Sequence, residues 1–330
     1  MRRAGYAVAA GACAAGAARV AYSAMSRRPP GGPKAWSRTN HRGEPVTLLE
    51  GPAVAAGALA GVLAQAGLAQ AGLVPASGSP GSAGSAGWRR AAAMVLGGAG
   101  AAAFGAYDDL AGSGDRRGFR GHLGALRQGE VTTGAVKLGG IGVTGVVSAA
   151  LAGGSPVDVI LNAGLVAGGA NLLNLFDLRP GRAIKVAAAS GVLLGAAGQG
   201  SVAAPLGAAL ALLPEDLGER AMLGDAGANA LGAMLGASAA GLSRTGRIAL
   251  LAGIAGLTAA SEKVSFTKVI ARTPALNWLD MLGRRPAPQT EPSGTEPSGT
   301  EPSGTEPSGT EPLSPQPLVT IPAQRPESGG

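Results

Sequence analysis

Four clusters of polar residues lie at the ends of long apolar stretches, and their types suit chemistry on charged groups. Tyr107-Asp108-Asp109 closes one apolar run. Adjacent carboxylates repel each other unless a cation or basic group lies between them. Arg116, Arg117, Arg120 and Lys137 follow in the chain. Asn171, Asn174 and Asp177 recur at i, i+3 and i+6, one stripe of a helix. That stripe suits an interior-facing, hydrogen-bonding edge, or simply amide contacts between helices. Met222-Leu223-Gly224-Asp225-Ala226-Gly227 opens a later apolar run. Asp225 there suits a helix cap, or a metal ligand beside glycines that let a phosphate approach the backbone. The fourth cluster is the basic loop from Arg38 through His41 to Glu50-Gly51. Positive charge before a span is normally a topology signal, and His41 is an ordinary surface histidine on that view. Polar groups at span ends are costly near lipid, so all four clusters are functional candidates.

The elements that must position them are transmembrane helices. Of 330 residues, 46% are hydrophobic and 14% charged, with 57 glycines; a soluble domain carries about 25% charged residues. Mean hydropathy is only +0.23 because Ala and Gly dilute the apolar blocks. Aromatic residues, at 3%, are too few for a β-barrel with aromatic girdles or for base stacking, so nucleic acid is not an expected partner. The single Cys13 excludes an internal disulfide framework and a cysteine-built zinc site. The net charge of +7 is explained by positive residues retained on the inner side of a membrane.

A span needs about 20 apolar residues. Apolar stretches at about 4–25, 51–76, 91–107, 138–153, 157–176, 186–200, 201–213, 226–242 and 248–260 predict an all-α, polytopic membrane protein of about nine transmembrane helices. The region 186–213 is ambiguous: one long helix, or two broken near Gly198-Gln199-Gly200-Ser201. With two, and the N-terminus outside, twenty Lys/Arg fall inside and six outside; with one, the split is fifteen to eleven. The positive-inside rule favours two, and hence an N-out, C-in topology. The dense positive charge from Arg19 to Arg42 favours an uncleaved first span over a signal peptide. Residues 1–285 form the membrane domain on this reading. Residues 286–330, with four Thr-Glu-Pro-Ser-Gly repeats from Thr290, read as a disordered cytoplasmic tail.

Taken together, the order, spacing and common sidedness of the clusters resemble the polyprenyl-phosphate N-acetylhexosamine-1-phosphate transferases. This glycosyltransferase family 4 group includes phospho-MurNAc-pentapeptide translocase and the polyprenyl-phosphate GlcNAc-1-phosphate transferases. Asp108-Asp109 is similar to its paired aspartates, Asn171, Asn174 and Asp177 to its Asn-x-x-Asn-x-x-Asp motif, and Leu223 to Gly227 to its Met-Gly-Asp-x-Gly motif. Departures mark a divergent branch. Pro180 stands where the family continues with a second Asp, Glu50-Gly51 replaces a Gly-Gly, Ser261 to Arg285 holds no histidine, and a tenth span is missing.

The resemblance implies transfer of a sugar-1-phosphate from a UDP-sugar to an undecaprenyl-type polyprenyl phosphate, releasing UMP, for peptidoglycan or other envelope glycan synthesis. It implies a multi-pass plasma-membrane protein, in some cases a homodimer, with its active site on the cytoplasmic face. Asp108 and Asp109 would act at the lipid phosphate. Asp225 would bind Mg²⁺ or Mn²⁺, and Asn171, Asn174 and Asp177 would hold the nucleotide-sugar. Arg179 and Arg182 are assigned to the diphosphate from charge and position. Two alternatives stand beside this. One is a catalytically inactive relative that binds lipid carrier or organises envelope enzymes. The other is a transporter, which the placement of charges at span ends rather than mid-bilayer disfavours.

Overall fold

The computed structural model describes residues 2–71, 85–111, 124–125 and 127–286. The repeat tail, residues 72–84 and the arginines Arg116, Arg117 and Arg120 lie outside the described residues. The described residues of the first compact unit, Met1–Pro286, are helical apart from one small hairpin and the connections. Its long helices are α1 (Arg2–Arg27), α3 (Glu50–Gln70), α4 (Ser85–Ala111), α5 (Thr133–Ala152), α6 (Pro156–Phe176), α7 (Arg182–Ala196), α8 (Ala203–Leu217), α9 (Gly224–Ala239) and α10 (Arg244–Ser261). A short α2 (Pro33–Trp36) precedes strands β1 (Ser37–Thr39) and β2 (Pro45–Thr47), and α11 (Phe266–Arg272) and α12 (Pro274–Met281) follow α10.

Each of the nine apolar stretches therefore contains one long helix. By length and composition, four are suited to crossing a membrane: α1 from Gly5, α3, α5 and α6. A fifth is the pair α10 and α11, which bends by 95° at its break. Helix α4 is long, at 27 residues, but carries Arg89, Arg90, Asp108 and Asp109 toward its ends; the remaining three are short. Helices α7 and α8 have 15 residues each, about 22 Å of rise, below the roughly 30 Å of a hydrocarbon core. Helix α9 has 16 residues, almost all buried, the mark of a helix enclosed by protein on every side. It packs against α3, α4 and α6.

The ambiguous region 186–213 is two helices. A 3₁₀ turn at Gly200–Val202 separates α7 from α8. Leu206 packs on Gly191 and Leu217 on Gly181, so α8 runs back antiparallel along α7. This reversal returns the chain to the end of the bundle where α6 finishes.

Local sequence explains the element boundaries. Ser155 and Asp158 form a capping box on α6, and Thr132 and Ser243 cap α5 and α10 through their hydroxyls. The β1–β2 hairpin turns on Asn40, whose carbonyl Oδ1 accepts from the backbone of Arg42 and Glu44. It docks on the chain before α9 through Thr47 N to Arg220 O (3.3 Å) and Met222 N to Thr47 O (3.0 Å).

Candidate functional site

Antiparallel packing brings one end of α3 through α9 together. At that end α3, α5, α7 and α9 begin while α4, α6 and α8 finish. Asp108, Asp109, Lys137, Asp177 and Asp225, from four separate stretches of sequence, converge there.

The turn entering α9 sets the geometry. Gly224 has φ +58, a left-handed conformation that suits glycine. A side chain there would also press on the Asp109 carboxylate and Leu48. The first N–H groups of a helix lack intrahelical partners, and at α9 a residue from another helix supplies two. Asp109 accepts from Asp225 N (3.0 Å) and Ala226 N (2.9 Å). Its negative charge also meets the positive end of the α9 dipole. The Arg38 guanidinium donates to the Asp109 backbone carbonyl, tying the hairpin to the end of α4.

This fixes Asp225. Its side chain does not cap its own helix: it lies 2.6 Å from Lys137 Nζ. The same ammonium is 2.7 Å from Asp108, and Thr133 hydrogen-bonds Asp108 as well. Asp108 and Asp109 diverge as neighbours about 100° apart on a helix must. Asp108 faces the Lys137–Asp225 pair, and Asp109 faces the α9 backbone. All three side chains of the bridge keep partial access, at 16%, 13% and 22% for Asp108, Lys137 and Asp225. Asp177 closes α6 and takes a hydrogen bond from the Gly224 backbone, which places it behind the same turn.

The other site candidates divide. Asn171 Nδ2 donates to Thr258 Oγ1 at 3.2 Å, a cross-link from α6 to α10, as in the simpler interhelical reading. Asn174 and Arg179 make no side-chain hydrogen bond or ion pair among the described residues. Arg182 is 5% exposed and bidentate to Asp280 at 2.7 and 2.9 Å, with Thr267 at 3.0 Å. Its guanidinium holds α12 onto α7. Arg284 joins the same carboxylate at 2.8 Å, and Lys185 donates to the carbonyls of Leu279 and Asp280. Burial pushes the Asp280 carboxyl upward, but Arg182 and the neighbouring Arg284 and Lys185 charges outweigh it and hold it below the usual carboxylate range.

His41 lies 4.0 Å from the buried Glu219, which Arg42 and Asn40 already engage at 2.9 Å each. Burial, then the nearby Arg179 charge, lower the His41 pKa against the opposing pull of Glu219. Its imidazole is therefore neutral at pH 7.

One expectation is corrected. The glycines of the α9 turn do not leave room for a phosphate. Gly227 meets the Gly51 Cα, and the Leu223 carbonyl presses on Gly51 in return. These glycines let α3 and α9 cross closely. The functional residue missed from sequence is Lys137 as a bridge. It is the one Lys or Arg in Thr133–Ala152, and a lone cation in an apolar helix was the available signal.

Asp108 and Asp225 converge on one positive group, the Lys137 ammonium, which lies between them; two carboxylates are the kind of oxygen donors a divalent cation takes. Among the described residues no set of three or more His, Cys, Asp or Glu is arranged to hold a metal. Compared with known proteins, the chain matches no family model and no curated protein.

Proposed function

We propose that the protein transfers a sugar-1-phosphate from a UDP-N-acetylhexosamine-type donor to polyprenyl phosphate, releasing UMP, on the cytoplasmic face of the plasma membrane. The observation that carries this reading is the convergence of Asp108, Asp225 and Lys137, with Asp177 behind them. The resemblance to the polyprenyl-phosphate N-acetylhexosamine-1-phosphate transferases supplies the reaction class.

Two phosphates must meet in such a reaction, and their repulsion must be neutralised. Lys137 brings one fixed positive charge to the cluster. Asp108, partly exposed at the bridge, holds or takes the acceptor's proton, or orients its phosphate. Asp109 positions Asp225 through the α9 backbone. Arg179, unengaged by other side chains, meets the donor's diphosphate, and Asn174 the nucleotide-sugar. Mg²⁺ or Mn²⁺ bound by Asp225 and Asp108 would add neutralising charge at the phosphates.

A radiolabelled UDP-sugar panel with membranes containing the full chain, scored for lipid-linked product, tests the reading. Product that requires divalent metal and is abolished by Asp225→Asn, at unchanged membrane abundance, supports it. An inactive, lipid-binding relative is the second reading. It is favoured by Lys137 filling the space between the two carboxylates and by Pro180 in place of a second Asp. Lipid-linked product from no donor in the panel favours that second reading.

A further inference from the structure

Glu50 opens α3 and is 0% exposed. Among the described residues, both of its carboxylate oxygens lack a hydrogen-bond partner, as does Oδ2 of Asp216, which is 2% exposed near the end of α8. A buried carboxylate without a partner is among the costliest groups a fold can contain, and it ordinarily neutralises instead.

Among the described residues, the groups that face Glu50 provide no unengaged counter-ion, and the cations near Asp216 are held elsewhere. Around Glu50 they are Asp216 and Glu215 of α8, Asp177 after α6, and Arg19 of α1, with Tyr22 of α1 also near. Three are acidic. Arg19, the one cation, is half-exposed and bonded to Glu215 at 2.8 Å. Arg220 also spends itself on Glu215. Facing Asp216 are Lys185, Arg284 and Glu219, with the Gly181 backbone as a hydrogen-bond donor. Lys185 donates to backbone carbonyls, Arg284 pairs with Asp280, and Glu219 is taken by Arg42 and Asn40.

We propose that Glu50 is a proton-binding site: it stands in the native protein as an uncharged carboxylic acid, enclosed behind the turn that presents Asp225. The residue beside it, Gly51, is wedged against the Leu223 carbonyl and Gly227. An anion at Glu50 would therefore act on the turn that fixes Asp225. The bound proton lets α3 start inside the protein beside three further carboxyls. This inference does not depend on the proposed transferase activity.

Infrared difference spectroscopy of the full chain in lipid nanodiscs at pH 7, wild type against Glu50→Gln, tests it. The expected result is a carbonyl band of a protonated carboxylic acid, downshifted in D₂O, that is lost in Glu50→Gln and unaffected by replacing Na⁺ and K⁺ with choline. No band lost in the variant, or a band that appears only when Na⁺ and K⁺ are removed, overturns the proposal; the second result would identify an anion paired with a metal cation. Should Glu50→Gln not accumulate, Glu50→Asp keeps the acid group and is expected to shift the band. An unshifted band in that variant overturns the proposal equally.

Discussion

Replacing Asp109 by Ala should weaken the fold more than the same change at Asp108, although the two are adjacent. The Asp109 carboxylate satisfies two N–H groups of the first turn of α9, at 3.0 and 2.9 Å. Losing a side-chain cap costs about 1 kcal/mol, and a donor left unsatisfied away from water about 1–3 kcal/mol. With two donors affected and Asp109 only partly buried, the expected loss is about 2–4 kcal/mol. At about 2 °C per kcal/mol for a chain of this size, the unfolding midpoint should fall by about 4–8 °C. Asp109→Asn retains one acceptor oxygen and should lose about half as much. Asp108→Asn leaves Lys137 paired with Asp225 at 2.6 Å, so it should cost about 1 kcal/mol while removing most transferase turnover. The assay is thermal unfolding in detergent alongside turnover at fixed Mg²⁺, normalised to membrane abundance. Equal midpoints for wild type and Asp109→Ala would refute the cross-helix cap. A stable but inactive Asp109→Ala would instead move Asp109 into the chemistry.

Lys137→Met strands Asp108 and Asp225 without their shared ammonium. Removing one partner of a buried pair costs about 3–5 kcal/mol, and the lower figure fits these partly exposed groups; a variant with wild-type melting and turnover would show the bridge to be idle. The Asp280 carboxyl is held below its usual value, so its clamp on Arg182 contributes stability above the unfolded pKa of about 4 and loses it as pH falls through the lower folded value. Limited proteolysis should accordingly release the segment after Phe266 only in strong acid, and Asp280→Asn should release it near neutrality. A topology reporter fused after residue 286 should be active only as a cytoplasmic reporter; a signal from the outer side would reverse the N-out, C-in assignment and put the carboxylate cluster on the wrong face.

Much of this arrangement is written in local sequence. The alternation of apolar blocks with short polar connections locates nine long helices, because helix and membrane both demand runs of a set length and apolarity. The Gly198–Ser201 break is visible as a weak point, and the charge count favours the reversal that α7 and α8 make. Asp108, Asp177 and Asp225 are conspicuous because ionisable groups beside apolar runs need a reason to be there. What each does was decided by tertiary contacts. Nothing in the order of residues shows that Asp109 rather than Asp225 caps α9, since the cap comes from a helix more than a hundred residues away in the chain. Nor does it show that Lys137 joins two carboxylates, that Arg182 is consumed by Asp280, or that Gly51 and Gly227 exist to let two helices touch. In sequence Glu50 is only the end of a basic loop before an apolar run. Only the packing of α3 among α1, α8 and α9 removes its water and its counter-ion, and burial of that kind belongs to no single segment.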